Sequence, residues 1–512
     1  MKLKFTFLKL LLGCISLLMI NTKFTYSLVA EEFLKVELNK EIKKGNFLIG
    51  LKQYLGGEND SFSKKKNINF TTDKGFINLA SSNGFKYKSK QINISWADMP
   101  IKNPKTIERI VFGPFASYES AKKTADILED KGFETTVAYP KNWEVWIPFE
   151  DDLPEFELKN KIFRKIKKIQ ITPVLRGDHG VIKLQGTINI YAKEEIKING
   201  VNFGKNFYLV KDSYGTWTLV QKIQFDDYLA GVLPYEIGPS SPLEALKAQA
   251  VIARTWGIFN SDRFNMDKYH LCITTQCQVY KPSKNNNKNV QKAIEATSNL
   301  ILTYDNQPIN AFYHGSNGGV SATAGESWQM QDYFYFNSII DGSKSLNQII
   351  KLPIASESDL NNFLDLNKQE FYGNDHSLFR WNKKISSLVI KEKLIKNKLM
   401  EMNEKVLGLN SLERGSSGRV TKLEILTNKK NKSIVLVKDD IRRVLSFIPS
   451  NLFTINKLSD DLWLLRGGGF GHGVGLSQSG AIEMAKLGFS YEQILKHYYR
   501  DAKLKKIEIL SQ

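Results

Sequence analysis

A chain of 512 residues is too long for one ordinary domain, and its 42% hydrophobic content is that of a globular protein with a substantial core. Its formal net charge of +19, from 72 Lys and Arg against 53 Asp and Glu, suits polyanionic surroundings such as acidic cell-wall polymers or anionic lipid. Nucleic acid is disfavoured, because the lysines are scattered among Asn and Ile (KKKNINF, NKKISSLVIKEKLIKNK), with no groove-reading basic helix and no RNA-binding aromatic motif.

At the N-terminus, Lys2 and Lys4 precede an apolar stretch from Phe5 to Ile20, with small residues near Ser27 and Ala30. Residues 1–30 read as an export signal or as an N-terminal membrane anchor. Leu11, Leu12 and Gly13 before Cys14 also resemble a lipobox. No second apolar stretch is long enough to span a bilayer, so the expectation is an exported protein of the periplasm or cell envelope, touching membrane only through this segment.

Residues 31–155 form a first unit, closed by the acidic stretch FEDDLPEFE. Inside it, IERIVFGPFASYESAKKTADILEDKGFETTVAYPKNWEVWIPF predicts a strand, a turn at Gly113 and Pro114, a helix from about Ser117 to Lys131, and two further strands. Ala121, Ala125 and Leu128 recur at helical spacing, and Gly132 follows as a helix-ending glycine. Residues of about 105–150 resemble the SPOR repeat, a small sheet-and-helix module. That resemblance implies binding to peptidoglycan glycan strands stripped of their peptides.

From Ile162 to about Phe225, short apolar stretches broken by Gly and Asp predict an antiparallel β region. DDYLAGVLPYEIGPSSPLEALKAQAVIARTWGIFNS then reads as a helical core, with Leu243, Leu246, Ala250, Ala253 and Trp256 at helical intervals behind Pro242. Glu236 lies between Pro234 and Pro239 in what reads as a proline-bounded loop. Desolvation by Tyr235 and Ile237 would favour its protonated form, as a general acid requires; the plainer alternative is a solvated acidic group near a helix N-terminus. Asp226 and Asp227 are expected in solvent, and Glu244 is explained by the helix dipole.

In YHLCITTQCQVY, one imidazole and two thiols lie within eight residues. His270, Cys272 and Cys277 suit a three-ligand zinc site, and Cys272 with Cys277 equally suits a small disulfide loop beside a bystander His270.

VLPYEIG followed by PLEALKAQAVIARTW resembles the core signature of the SpoIID/LytB family, named for a sporulation protein and an amidase enhancer. CQVY, AFYHGSNGGVSATAGESW, SGRVTKLEIL, IRRVLSF and GGGFGHGVGLSQSGAIEMAKLGFSYEQILKHYY follow in the family's order, covering roughly residues 165 to 505. The resemblance implies an α+β fold: a SpoIID-like domain over residues 160–508, with an antiparallel β region around a helical core, preceded by the small α+β module. It also implies Glu236 as the single acid/base of a peptidoglycan lytic transglycosylase and Arg254 as a second catalytic residue. Zinc on His270, Cys272 and Cys277 is implied as well, although the His and first Cys stand closer together than in the family pattern. The enhancer branch implies instead a non-catalytic glycan binder that stimulates a cell-wall amidase. His314, Ser316, His472, Ser477 and Gln478, set in the glycine-rich segments, are expected to line a sugar-binding cleft; tight turns supporting one another are the alternative. GLSQSG lacks a glycine elbow, which argues against Ser477 as a nucleophile.

Overall fold

The computed structural model describes residues 39–57, 67–149, 162–177, 180–282, 287–429 and 433–509. Residues 1–30, including Cys14, lie outside the described residues. Among the described residues, no helix is long and apolar enough to cross a membrane.

The fold is α+β, as expected. Alternation builds its largest sheet. In the strand Asn46–Leu55, Phe47, Ile49 and Leu51 are buried on one face. This strand pairs antiparallel with Trp217–Gln224, which pairs with Val201–Lys211, which pairs with Ile188–Ile198. The order continues through Ile68–Thr71, the long strand Gln91–Phe115, Trp143–Pro148 and Thr136–Ala138. On its other side Asn46–Leu55 takes the two-residue strand Leu271–Cys272 in parallel. One sheet therefore runs across the compositional boundary near residues 155–160.

Helix α1, Tyr118–Glu129, starts where the sequence places it, with Ser117 as N-cap accepting from the Ser120 N–H. Its Ala121, Ala125 and Leu128 are buried in a cluster that holds Trp143 and Val145 of the same module together with Phe264 and Tyr269 from farther along the chain. The module is thus packed onto the main body through its helix.

Helix α2 spans Phe225–Glu236, α3 spans Leu243–Phe259 and α4 spans Lys288–Ala296. Twelve residues of α3 are buried, so it is surrounded on all sides and acts as the axis around which α2 and α4 pack. Two small sheets farther along the chain enclose a separate core with α5, Asp439–Val444. Helices α6, Gln478–Lys486, and α7, Tyr491–Tyr498, return to pack on α3. Glu244 in the first turn of α3 accepts the Tyr491 N–H at 2.9 Å, which anchors the start of α7.

Candidate active site

Glu236 is the last residue of α2, and the helix runs through Pro234 where the sequence suggests a loop. Burial of Tyr228, Leu229, Val232 and Leu233 holds the helix together past the proline. The chain turns away at Gly238, whose φ of 90° suits glycine.

Three groups converge on the carboxyl. The Val279 N–H donates to Glu236 Oε1 at 2.7 Å, and the side chains of Tyr313 and Gln478 face the same carboxyl. Burial raises the Glu236 pKa above the ordinary carboxylate range, while the Val279 amide, Tyr313 and Gln478 each pull it back. The Tyr313 hydroxyl, itself buried, lies outside ideal hydrogen-bond geometry yet still bears on this charge. An amide, a phenol and a carboxamide surround Glu236, and none of these is a second carboxylate.

Each partner is set by a different element. Tyr313 sits in the strand Tyr313–His314, which pairs in parallel with Leu476–Ser477. Gln478 opens α6 and reaches Gln249 of α3 at 3.4 Å. Val279 belongs to the segment after Cys277, which approaches α2 closely because Gly231 has no side chain there. A Cβ at Gly231 would lie 2.6 Å from the Lys281 carbonyl oxygen and against the Tyr280 ring.

Of the expected cleft residues, Gln478 alone faces Glu236. The others build the scaffold behind it. The buried His314 donates from Nδ1 to the Val474 carbonyl at 3.1 Å. His472 accepts the Val474 N–H on Nδ1 and donates from Nε2 to the Tyr313 carbonyl at 2.9 Å. The two imidazoles lie 5.2 Å apart, with Trp328 4.7 Å from His472, and burial lowers both pKa values, that of His314 to about 3. Both rings are therefore neutral supports. Ser316 exchanges backbone hydrogen bonds with Phe470, and Ser477 caps α6 by accepting the Gly480 N–H. The glycine segments interlock so tightly that a Cβ at Gly318 would stand 2.8 Å from the Gly469 nitrogen. Arg419, fully buried, donates to the Val320 and Asn317 carbonyls and ties that interlock to the second core.

Arg254 does not reach Glu236. It is buried, donates to the Thr297 and Leu300 carbonyls, and pairs with Asp226 at 2.8 Å. Asp226, expected in solvent, is engaged by Arg254 and also by the Ser298 hydroxyl.

The structure joins Cys272 to Cys277 in a disulfide, their Cα atoms 5.6 Å apart. His270 is buried beside them, with Nδ1 accepting the Leu48 N–H at 3.0 Å. In this state the sulfurs are bonded to each other and offer no thiolates, so the donor set does not fit a zinc ion. Only a reduced chain could present both thiolates.

Residues 213–304 match the family described as Stage II sporulation protein, and residues 322–475 match a family described as a domain of unknown function. Over 298 residues the chain is 29% identical to an amidase enhancer of Bacillus subtilis, covering 53% of this chain and 39% of that protein. It is 27% identical over 304 residues to Stage II sporulation protein D of Bacillus subtilis, covering 56% of this chain and 75% of that one. An uncharacterized protein of Brachyspira hyodysenteriae is 27% identical over 305 residues, covering 59% of this chain and 72% of its own. The module at residues 105–150 lies outside both stretches matched to families.

Proposed function

The chain belongs to the SpoIID/LytB family, and on that premise we propose that it is an exported peptidoglycan lytic transglycosylase with Glu236 as its single acid/base. The observation that carries this reading is the half-buried carboxyl of Glu236, raised in pKa and surrounded by Val279 N–H, Tyr313 and Gln478.

The chemistry needs one carboxyl group. Burial favours the protonated form of Glu236, and that form gives its proton to the glycosidic oxygen as the C1–O bond breaks. The carboxylate left behind is stabilised by the Val279 N–H. It then takes the proton from the muramic C6 hydroxyl as that oxygen bonds to C1, which returns Glu236 to its acid form. Hydrolases that use a second carboxylate need it as nucleophile or water activator, a role this closed cycle does not contain. The module at residues 105–150 would add a second grip on stripped glycan.

The relative named amidase enhancer supports another reading, in which the same cleft holds glycan without cutting it and the partner is a cell-wall amidase. Digestion of purified, peptide-free glycan strands, with products weighed by mass spectrometry, separates the two. Anhydromuramyl ends made by the wild type and lost in Glu236→Gln support the enzyme. Strand binding without such ends in the wild type overturns it in favour of the binder.

A further inference from the structure

We infer that Gln278 is a positioning residue for Glu236: its buried carboxamide fixes the segment from Cys277 to Lys281 so that the Val279 N–H is held on the Glu236 carboxylate. The inference rests on the reading of Glu236 as acid/base given above, and the geometry it concerns is present without substrate.

Gln278 has no solvent exposure. Its amide donates to the Ala253 carbonyl at 3.1 Å and its carbonyl accepts the Tyr228 hydroxyl at 3.1 Å. Ala253 lies on α3, and Tyr228 lies on α2, the helix that ends in Glu236. One side chain therefore ties the segment to both helices, immediately before the residue whose N–H meets the carboxyl. A neutral group that donates at one end and accepts at the other is what these two partners demand, and a carboxamide supplies both. Neither a methionine nor a carboxylate does.

Flanking contacts fix the same stretch from both sides. Cys277 is closed to Cys272, the Tyr280 ring stacks on Tyr228 with centroids 5.3 Å apart, the Tyr280 hydroxyl donates to Gln221 at 3.1 Å, and the Lys281 N–H donates to the Gly231 carbonyl at 3.1 Å. The Val279 amide is thus aimed before any substrate arrives. Its bond is strongest when Glu236 is ionised, which is the state that must act as base. The titratable groups facing Glu236 are Tyr228 on its own helix and Tyr313 from the neighbouring strand, both kept neutral by burial, while α6 contributes the uncharged Gln478. Among them only Glu236 is a carboxyl, and burial favours its neutral form.

The test follows the Glu236 carboxyl by NMR in glutamate-labelled full-length protein, assigned by its loss in Glu236→Gln, alongside amide exchange at Val279. In Gln278→Met, which keeps the volume and removes both hydrogen bonds, the Glu236 midpoint is expected to move upward and Val279 exchange to quicken ~tenfold. A merely structural role would lower Tm and leave both unmoved in the folded variant, and that result overturns the inference. Should Gln278→Met fail to fold, Gln278→Asn keeps donor and acceptor one methylene short and is judged by the same two readouts. Glycan cleavage is not among the readouts, so failure of the enzymatic reading and failure of this one are separable.

Discussion

Arg254 is bound to Asp226, at the opposite end of α2 from Glu236. The contact is 2.8 Å long, and Asp226 and Glu236 stand ten positions apart on the helix, about 15 Å. Arg254 therefore fastens the base of the helix that ends in Glu236, and under the proposed function it would act on the chemistry through α2.

Arg254→Ala is accordingly expected to cost stability first. It removes an ion pair and two carbonyl contacts from a fully buried position, a loss of about 3 kcal/mol. Urea unfolding measures that loss. Glycan cleavage by the fraction that remains folded should fall far less than in Glu236→Gln, which removes the acid itself and should cost ~10²- to 10⁴-fold. A collapse of cleavage in fully folded Arg254→Ala would restore the direct role implied by the family resemblance.

Tyr313→Phe has a definite sign in pH. The phenol favours the charged form of Glu236, so its loss leaves the proton held to higher pH. The alkaline limb of the cleavage profile should move upward, while the maximal rate drops about tenfold because the carboxylate loses a stabilising partner. A limb that moves downward would contradict the assignment.

Gly231→Ala should displace the Val279 segment. The added Cβ would meet the Lys281 carbonyl oxygen at 2.6 Å and the Tyr280 ring, which is overpacking worth roughly 1–3 kcal/mol. Reduced thermal stability together with faster exchange at the Val279 amide is the expected pair of results, measured by calorimetry and hydrogen exchange.

Much of this architecture was legible in the sequence. Leu243, Leu246, Ala250, Ala253 and Trp256 mark α3, and the alternating stretches after Ile162 mark strands. The position of Glu236 was misread because Pro234 signals a break, and a helix whose apolar residues are buried tolerates one in its last turn. Tyr313 and the Val279 N–H were not legible as site groups. A backbone amide has no side-chain signature, and both reach Glu236 only through tertiary pairing, Val279 from 43 residues away. His314 and His472 stood out as polar residues among glycines, yet their hydrogen bonds run inward to Val474 and Tyr313, which no spacing rule reveals.

Stability should depend on pH through Asp439. This carboxyl, the first residue of α5, accepts from the hydroxyls of Ser117 and Ser120 on and before α1, and burial raises its pKa to about 6. A raised carboxyl favours the native state most fully below its unfolded value, and that contribution is lost as pH rises through about 6. Asp267, also raised by burial to about 6, acts in the same direction. Urea unfolding between pH 4 and 8 should show stability falling across this window, with a shallower fall in Asp439→Asn. An equal fall in both proteins would remove Asp439 as a contributor.

The strand Asn46–Leu55 lies between Trp217–Gln224 on one side and Leu271–Cys272 on the other. A protein begun at residue 160, where composition suggests a clean cut, would lose this strand and also the partners of Ile162–Gly177 and Ile188–Ile198, baring backbone groups at several strand edges. Bared edges pair with other chains, so such a fragment should aggregate. A compositional joint in the sequence is therefore no seam in the protein, because the strands on its two sides share one sheet.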